Sequence, residues 1–160
     1  MSKDITISDE ELNQADSEQL RDLVARYRRI FNGSGYGFWE WDLTSNRIDW
    51  SGGFWESLGF NDEDKIRISD ATALPDYIHP DDRDHMLEAV REHLRSGEPL
   101  NTAYRILTKR GNYVWTQARA NSIRDKYGRV MYISGVNFDI TELKNVEAAL
   151  RESEARQARI

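Results

Sequence analysis

The sequence predicts an α+β fold: a five-stranded antiparallel sheet with helices on one face, an N-terminal helix and a C-terminal helix of coiled-coil character. Three observations predict it. Apolar and aromatic runs come in the order two strands, several helical segments, three strands and one long helix. Turn-forming clusters separate the strand runs at residues 44–46, 109–112 and 124–129. The pattern also changes period at one junction. Tyr132, Ile133, Val136 and Phe138 are residues that strands prefer, whereas Leu143, Val146 and Leu150 repeat at heptad spacing and Ser153, Gln157 and Ile160 continue the seam. The last strand therefore runs directly into a protruding helix.

Taken in order, residues 1–7 read as a frayed start, and Ser8 and Glu11 have capping-box spacing. A stronger helix is expected over 17–32, where Leu20, Val24, Tyr27 and Phe31 form a narrow 4-3-4 stripe. Such a stripe serves either packing on its own domain or a seam shared with a second copy. Asn32 and the Gly-Ser-Gly that follows end the helix. Residues 37–51 read as a hairpin whose alternation puts Trp39 and Trp41 on one face and Phe38 and Glu40 on the other. Ser51 is expected to cap a short helix over 54–58 that Gly59 closes, and residues 61–76 read as short helical turns. Pro80 suits a first helical position. Asp81, Asp82 and Asp84 crowd that first turn, where the helix dipole favours anions. Met86, Leu87, Val90 and Leu94 share one side of this helix, which stops at Ser96 and Gly97. Strands are then expected over 100–108, 113–123 and 130–138.

The length of 160 residues suits one domain with extensions. Hydrophobic residues make up 39% and charged residues 31%, which fits a modest core with exposed charged helices. The net charge of -6 argues against a nucleic-acid partner. The absence of cysteine excludes disulfides, thiol catalysis and cysteine-ligated metals. No apolar run suits a bilayer span and the start lacks a signal-peptide core, so a cytoplasmic segment without direct membrane contact is expected. Membrane spans elsewhere in a longer protein stay open. No nucleophile–base–orienter set stands out, so no enzymatic activity is expected.

The residues that now matter are Gly37 to Asp42 (Gly-Phe-Trp-Glu-Trp-Asp), Gly59 and Phe60, residues 78–83 (Ile-His-Pro-Asp-Asp-Arg), Gly111 with Val114 and Trp115, Asp125 with Gly128, and Gly135 through Asp139, Ile140 and Thr141. In their order and spacing the chain resembles the PAS sensor family with its C-terminal PAC motif, over about residues 31–141. The resemblance implies a sheet cupped around a small pocket, between helices that dimerise and carry signal. It divides the chain into an N-terminal flanking and dimerisation helix (1–32), a PAS domain (33–141) and a C-terminal signalling helix (142–160). It further implies a non-enzymatic sensory module, with an effector such as a histidine kinase or diguanylate cyclase elsewhere in the full-length protein. Two alternatives stand beside it: a ligand-free structural dimerisation domain, and a haem-based redox or gas sensor.

Alternation within the cup places Trp39, Trp41, Ile106, Thr116, Ala118, Ile133 and Asn137 on a pocket wall. Trp115 has the opposite parity and is expected on the outer face, under a flanking helix. Flavin-binding members of the family carry a reactive cysteine where this chain has Leu74. Their polar contacts to the flavin ring come from positions that here hold Ile106, Thr116 and Asn137, of which only Asn137 keeps an amide. Haem-binding members carry their ligand where this chain has Met86, and His85 lies one residue off, about 100° around the helix. His79 is expected to organise the helix start and His93 to be solvated. The expected cofactor is therefore none or an unidentified small molecule, with flavin and haem both disfavoured. Asp81, Asp82, Asp84 and His85 disperse around a helix N-terminus, Asp62, Glu63 and Asp64 read as a solvated turn, and no metal site is expected.

A parallel homodimer is expected through Leu20, Val24, Tyr27 and Phe31, helped by Leu143, Val146 and Leu150. Signal transmission is assigned to Asp139, Ile140 and Thr141. One of Asp139 and Thr141 should cap the exit helix, and Asp139 should pair with Arg124 or Lys144.

Overall fold

Period-two alternation makes strands only where a partner completes their hydrogen bonds, and here each strand finds one. The structure, a computed structural model that describes residues 8–32 and 36–159, contains strands β1 (Gly37–Asp42), β2 (Arg47–Gly52), β3 (Leu100–Leu107), β4 (Tyr113–Arg124) and β5 (Val130–Asp139). They form one antiparallel sheet in the order β2-β1-β5-β4-β3. The helices are α1 (Asp9–Gln14), α2 (Ser17–Asn32), α3 (Phe54–Ser57), α4 (Asp62–Ile68), α5 (Pro80–Ser96) and α6 (Thr141–Ala158), with a 3-10 turn at Leu74–Tyr77. The expected α+β class is the observed one. The side chains of Tyr27 and Phe31, the frayed start 1–7, the turn 33–35 and Ile160 lie outside the described residues. Among the described residues no helix is long and apolar enough to cross a membrane.

Both sheet edges are bridged at one point by the chain that links β2 to β3. On β2, Ile48 N–H donates to Ser69 O at 2.8 Å and Ala71 N–H donates to Asn46 O at 3.1 Å. On β3, His79 N–H donates to Arg105 O at 2.9 Å, and Arg105 N–H donates to the Asp82 carboxylate at 2.8 Å. Each bridge shortens the run of unpaired backbone groups that its edge offers to another strand.

Capping follows the sequence signals in most places. Ser8 and Glu11 exchange reciprocal bonds at the start of α1, and Asn61 and Asp64 do the same at α4. Asp64 also holds Lys109 at 2.7 Å, so it is more than part of a solvated turn. His79 caps α5 by accepting Asp81 N–H on its ring Nδ1 at 3.1 Å, and Gly97 closes that helix at a φ of 76° that favours glycine. Two expectations need correction. Ser51 lies within β2, and α3 starts after Gly53 with no side-chain cap. His93 is buried, not solvated, because its ring bridges the Glu98 carbonyl and the Ser122 hydroxyl, joining the end of α5 to β4.

The core lies between the sheet and α3, α4, the 3-10 turn and α5. Phe54, Trp55, Leu58, Phe60, Ile68 and Ile78 pack on Tyr104, Ile106 and Ala118. The Trp55 ring meets Trp50, Phe54, Phe60 and Tyr77 edge-on, with centroids 5.1–5.9 Å apart. A second cluster, Leu100, Ala120 and Ile133, packs beneath Trp39, Trp41 and Val90.

Candidate functional site

Between these two clusters lies a cavity of about 140 Å³. Its floor is the sheet: Trp39 and Trp41 from β1, Ile48 and Trp50 from β2, Leu100, Thr102 and Tyr104 from β3, Ala118 from β4 and Asn137 from β5. Its roof is Ala71, Leu74 and Pro75 from the segment around the 3-10 turn, with Met86, Leu87 and Val90 from α5. The hollow follows from residue size. Thr102, Ala118 and Asn137 stand in one cross-strand row, and the small Ala118 at its centre leaves the space above it open.

The indole walls are held by directional bonds. Trp39 sits opposite Gly135, where a Cβ would come within 2.8 Å of the indole and 2.3 Å of the Arg119 carbonyl oxygen. With no side chain there, the Trp39 ring lies over β5 and its Nε1–H reaches Asn137 Oδ1 at 2.7 Å. Asn137 Nδ2 donates to Tyr104 Oη at 2.9 Å and to Thr116 Oγ1 at 3.2 Å. Thr116 in turn donates to the Phe138 carbonyl at 3.1 Å. Trp41 donates from Nε1 to Asn46 Oδ1 at 2.9 Å. Burial pushes the Tyr104 phenol up to about 12, so its proton stays on at neutral pH. Thr102 is 5% exposed, and its Oγ1 has no partner among the described residues.

Of the residues expected on the pocket wall, Trp39, Trp41, Ala118 and Asn137 line the cavity. Ile106, Thr116 and Ile133 do not, and this corrects the alternation argument. All three face inward and are buried, but Ile106 is covered by the Trp55 cluster and Ile133 by Leu100, Ala120 and the indoles. Thr116 spends its hydroxyl on Phe138 and Asn137. Thr102 and Tyr104 were missed, although they share the parity of Ile106 on the same strand.

The exit helix is tied to the strand that carries Ala118. Ile140 is buried and its N–H donates to Trp115 O at 2.9 Å. Trp115 N–H donates to Thr141 Oγ1 at 3.0 Å, so the Thr141 hydroxyl serves the sheet rather than the helix. Asp139 accepts Thr141 N–H at 2.8 Å from the position before the N-cap, while the N-cap itself is Ile140, with no side-chain cap bond, so neither expected residue is the N-cap. The expected ion pair is absent among the described residues: Arg124 turns to the Gly128 carbonyl, and Lys144 pairs with Glu147. Lys144 Nζ instead stands 5.0 Å from the Trp115 ring centroid, and the Arg105 guanidinium lies 5.2 Å from that centroid. Arg105 grips Asp82 at the start of α5 through Nε and Nη2, both at 2.9 Å. The Arg105 side chain holds the Asp82 carboxyl below the usual carboxylate range. A chain of contacts thus runs from the helix that roofs the cavity, through Arg105 and Trp115, to Lys144 on α6.

The dimerisation candidates lie open in the single chain. Leu20 and Val24 on α2 are 38% and 48% exposed, and Leu143, Val146 and Leu150 on α6 are 53%, 61% and 57% exposed.

A family model described as PAS fold matches residues 47–137. The chain is 30% identical over 128 residues to the sensor protein FixL of Bradyrhizobium diazoefficiens, covering 80% of this chain and 25% of that protein. It is 29% identical over 141 residues to the probable diguanylate cyclase DgcE of Escherichia coli, covering 88% of this chain and 12% of that protein. Among solved structures, a sensory box histidine kinase/response regulator from Burkholderia thailandensis superposes with a TM-score of 0.67 and 28% identity, covering 84% of this chain and 99% of that one. The chain thus spans a quarter or less of the two curated relatives.

Proposed function

This chain belongs to the PAS-fold family, and from that premise we propose that it is the cytoplasmic sensory and dimerisation module of a bacterial-type signalling protein. A small molecule in the cavity biases the exit helix, which passes the change to an effector such as a histidine kinase or diguanylate cyclase. The division into 1–32, 33–141 and 142–160 is part of this reading. The observation that carries it is the junction at Trp115. Its backbone carbonyl binds Ile140, just before α6, and its backbone N–H binds the Thr141 hydroxyl at the start of α6, and its strand also supplies Ala118 to the cavity floor. A shift of β4 by a few tenths of an ångström therefore reaches the exit helix directly. The two helix orientations need differ by only a few kcal/mol to act as a switch.

Pairing of the chain with a second copy completes the reading. The exposed seams on α2 and α6 lie at the two ends of the chain. Joining two copies in parallel removes both from water at about 25 cal/mol per Å² of apolar surface. Flavin and haem stand outside it. Leu74 supplies no thiol, Ile106 no hydrogen bond, and Asn137 has its amide engaged by Trp39, Tyr104 and Thr116. Met86 lines the cavity without a nitrogen ligand, while His85 is exposed. A volume of about 140 Å³ is also below the roughly 300–1,000 Å³ of pockets that take larger ligands.

The test is Asp139→Ala in a fusion of the chain to a diguanylate cyclase or histidine kinase catalytic domain. Loss of the Asp139 bond to Thr141 N–H costs about 1 kcal/mol, so the melting temperature should fall only modestly. Effector output should become constitutive or uncoupled. Regulated output identical to the parent would remove the junction from the mechanism.

A further inference from the structure

We propose that the cavity binds a small, uncharged, single-ring molecule bearing one hydroxyl or carbonyl group, seated over Ala118 with its oxygen at Thr102. The proposal rests on the sensory reading above and adds the chemical class of what is sensed.

Volume sets the size. A cavity of about 140 Å³ matches the roughly 150 Å³ that a benzene ring fills in an apolar protein interior. One water takes only about 30 Å³, so a solitary water at Thr102 would leave most of the space empty. Charge sets the class. No residue lining the cavity is charged, and an unpaired carboxylate or phosphate placed there would lose its hydration with no compensating partner. The rings of Trp39, Trp41 and Trp50 line the cavity, and aromatic rings pack favourably on a planar guest edge-on or offset.

The polar group follows from two unspent hydrogen-bonding capacities on one face of β3. Thr102 Oγ1 is buried on the wall with no partner among the described residues. Native interiors rarely leave such an atom unpaired. Two residues along, Tyr104 Oη accepts from Asn137 and stays protonated, while its own proton has no acceptor among the described residues. Each hydroxyl can donate to a guest hydroxyl or carbonyl oxygen. Asn137 and Thr116 have no donor to spare, since their protons go to Tyr104, Thr116 and Phe138.

The experiment is calorimetric titration of the 160-residue chain at pH 7 with phenol, toluene and benzoate, repeated on Thr102→Val and Ala118→Leu. Phenol should bind, toluene more weakly and benzoate not at all. Thr102→Val keeps the shape and removes the hydroxyl, so phenol affinity should fall about ten-fold while toluene affinity holds. Ala118→Leu should abolish binding of both. The proposal is overturned if benzoate binds as tightly as phenol, if Thr102→Val leaves phenol binding unchanged, or if neither ring binds. The sensory reading is judged on a different readout, effector output of the Ala118→Leu fusion. Output that shifts in this fusion although neither ring binds the parent chain would sink the chemical class and keep the reading. Output that ignores a filled cavity while phenol still binds the parent chain would sink the reading and keep the class.

Discussion

The two halves of the interior lie under the same sheet and use the same residues differently. On one side, Trp55 is 2% exposed and meets Trp50, Phe54, Phe60 and Tyr77 with edge-on contacts. On the other, Trp39 and Trp41 stand as walls around a void, each tied by its indole N–H to an asparagine. Large rings close space when they are free to settle against one another. They hold space open when directional bonds fix them, because collapse would then break the bonds. The filled half supplies stability and the hollow half supplies a site.

The largest expected effect breaks the filled half. Trp55→Ala should cost about 3–5 kcal/mol and leave little cooperative unfolding in a thermal melt. Survival with a small loss would mean that this cluster is not the foundation. Next comes a wall of the hollow half. Trp39→Phe leaves Asn137 Oδ1 buried without a donor and should cost about 2–3 kcal/mol, whereas Trp55→Phe loses no bond, because Trp55 Nε1 has no partner among the described residues. Equal costs for the two would erase the distinction drawn here.

A smaller effect tests the link between roof and edge. Asp82→Asn should cost about 1–2 kcal/mol at pH 7, discounted for the partial exposure of Arg105. Because Arg105 depresses the folded-state pKa of Asp82, its contribution is present above the ordinary carboxylate pKa of about 4. It fades as the pH falls through the lower folded value. The gap in melting temperature between parent and Asp82→Asn should therefore close at acidic pH, and a gap constant from pH 7 to pH 3 would contradict the pairing. The smallest effect belongs to the void itself. Ala118→Leu should change stability by less than about 1 kcal/mol, below the range of overpacked cores, because the added carbons enter the cavity. A loss of 1–3 kcal/mol or more is the signature of overpacking and would mean that the space is not there.

The hollow half was only partly legible in the sequence. Alternation alone brings Trp39, Trp41, Ala118 and Asn137 to the inner face, and strand parity could equally have found Thr102 and Tyr104 from Ile106. Which inner-face positions border a void depends on what the helices cover. Ile106 and Ile133 have the right parity, and their cover is decided by Trp55 and Leu100, far away in the chain. The turn chemistry of His79 and Gly97 was local and therefore readable. His93 was not, because its partners are the Glu98 carbonyl and Ser122 on another strand. The Asp139 ion pair failed for a related reason: Lys144 is drawn to the face of Trp115, a contact that only the tertiary fold creates.

Coupling between the cavity and the exit helix through β4 is the central claim, and amide hydrogen exchange on Ala118→Leu measures it without any ligand. Filling the cavity should change exchange at Ile140, Thr141 and the first turn of α6, while amides around Trp55 keep the protection of the parent chain. An exit helix whose exchange is identical in the two proteins, with the cavity demonstrably filled, would contradict the account.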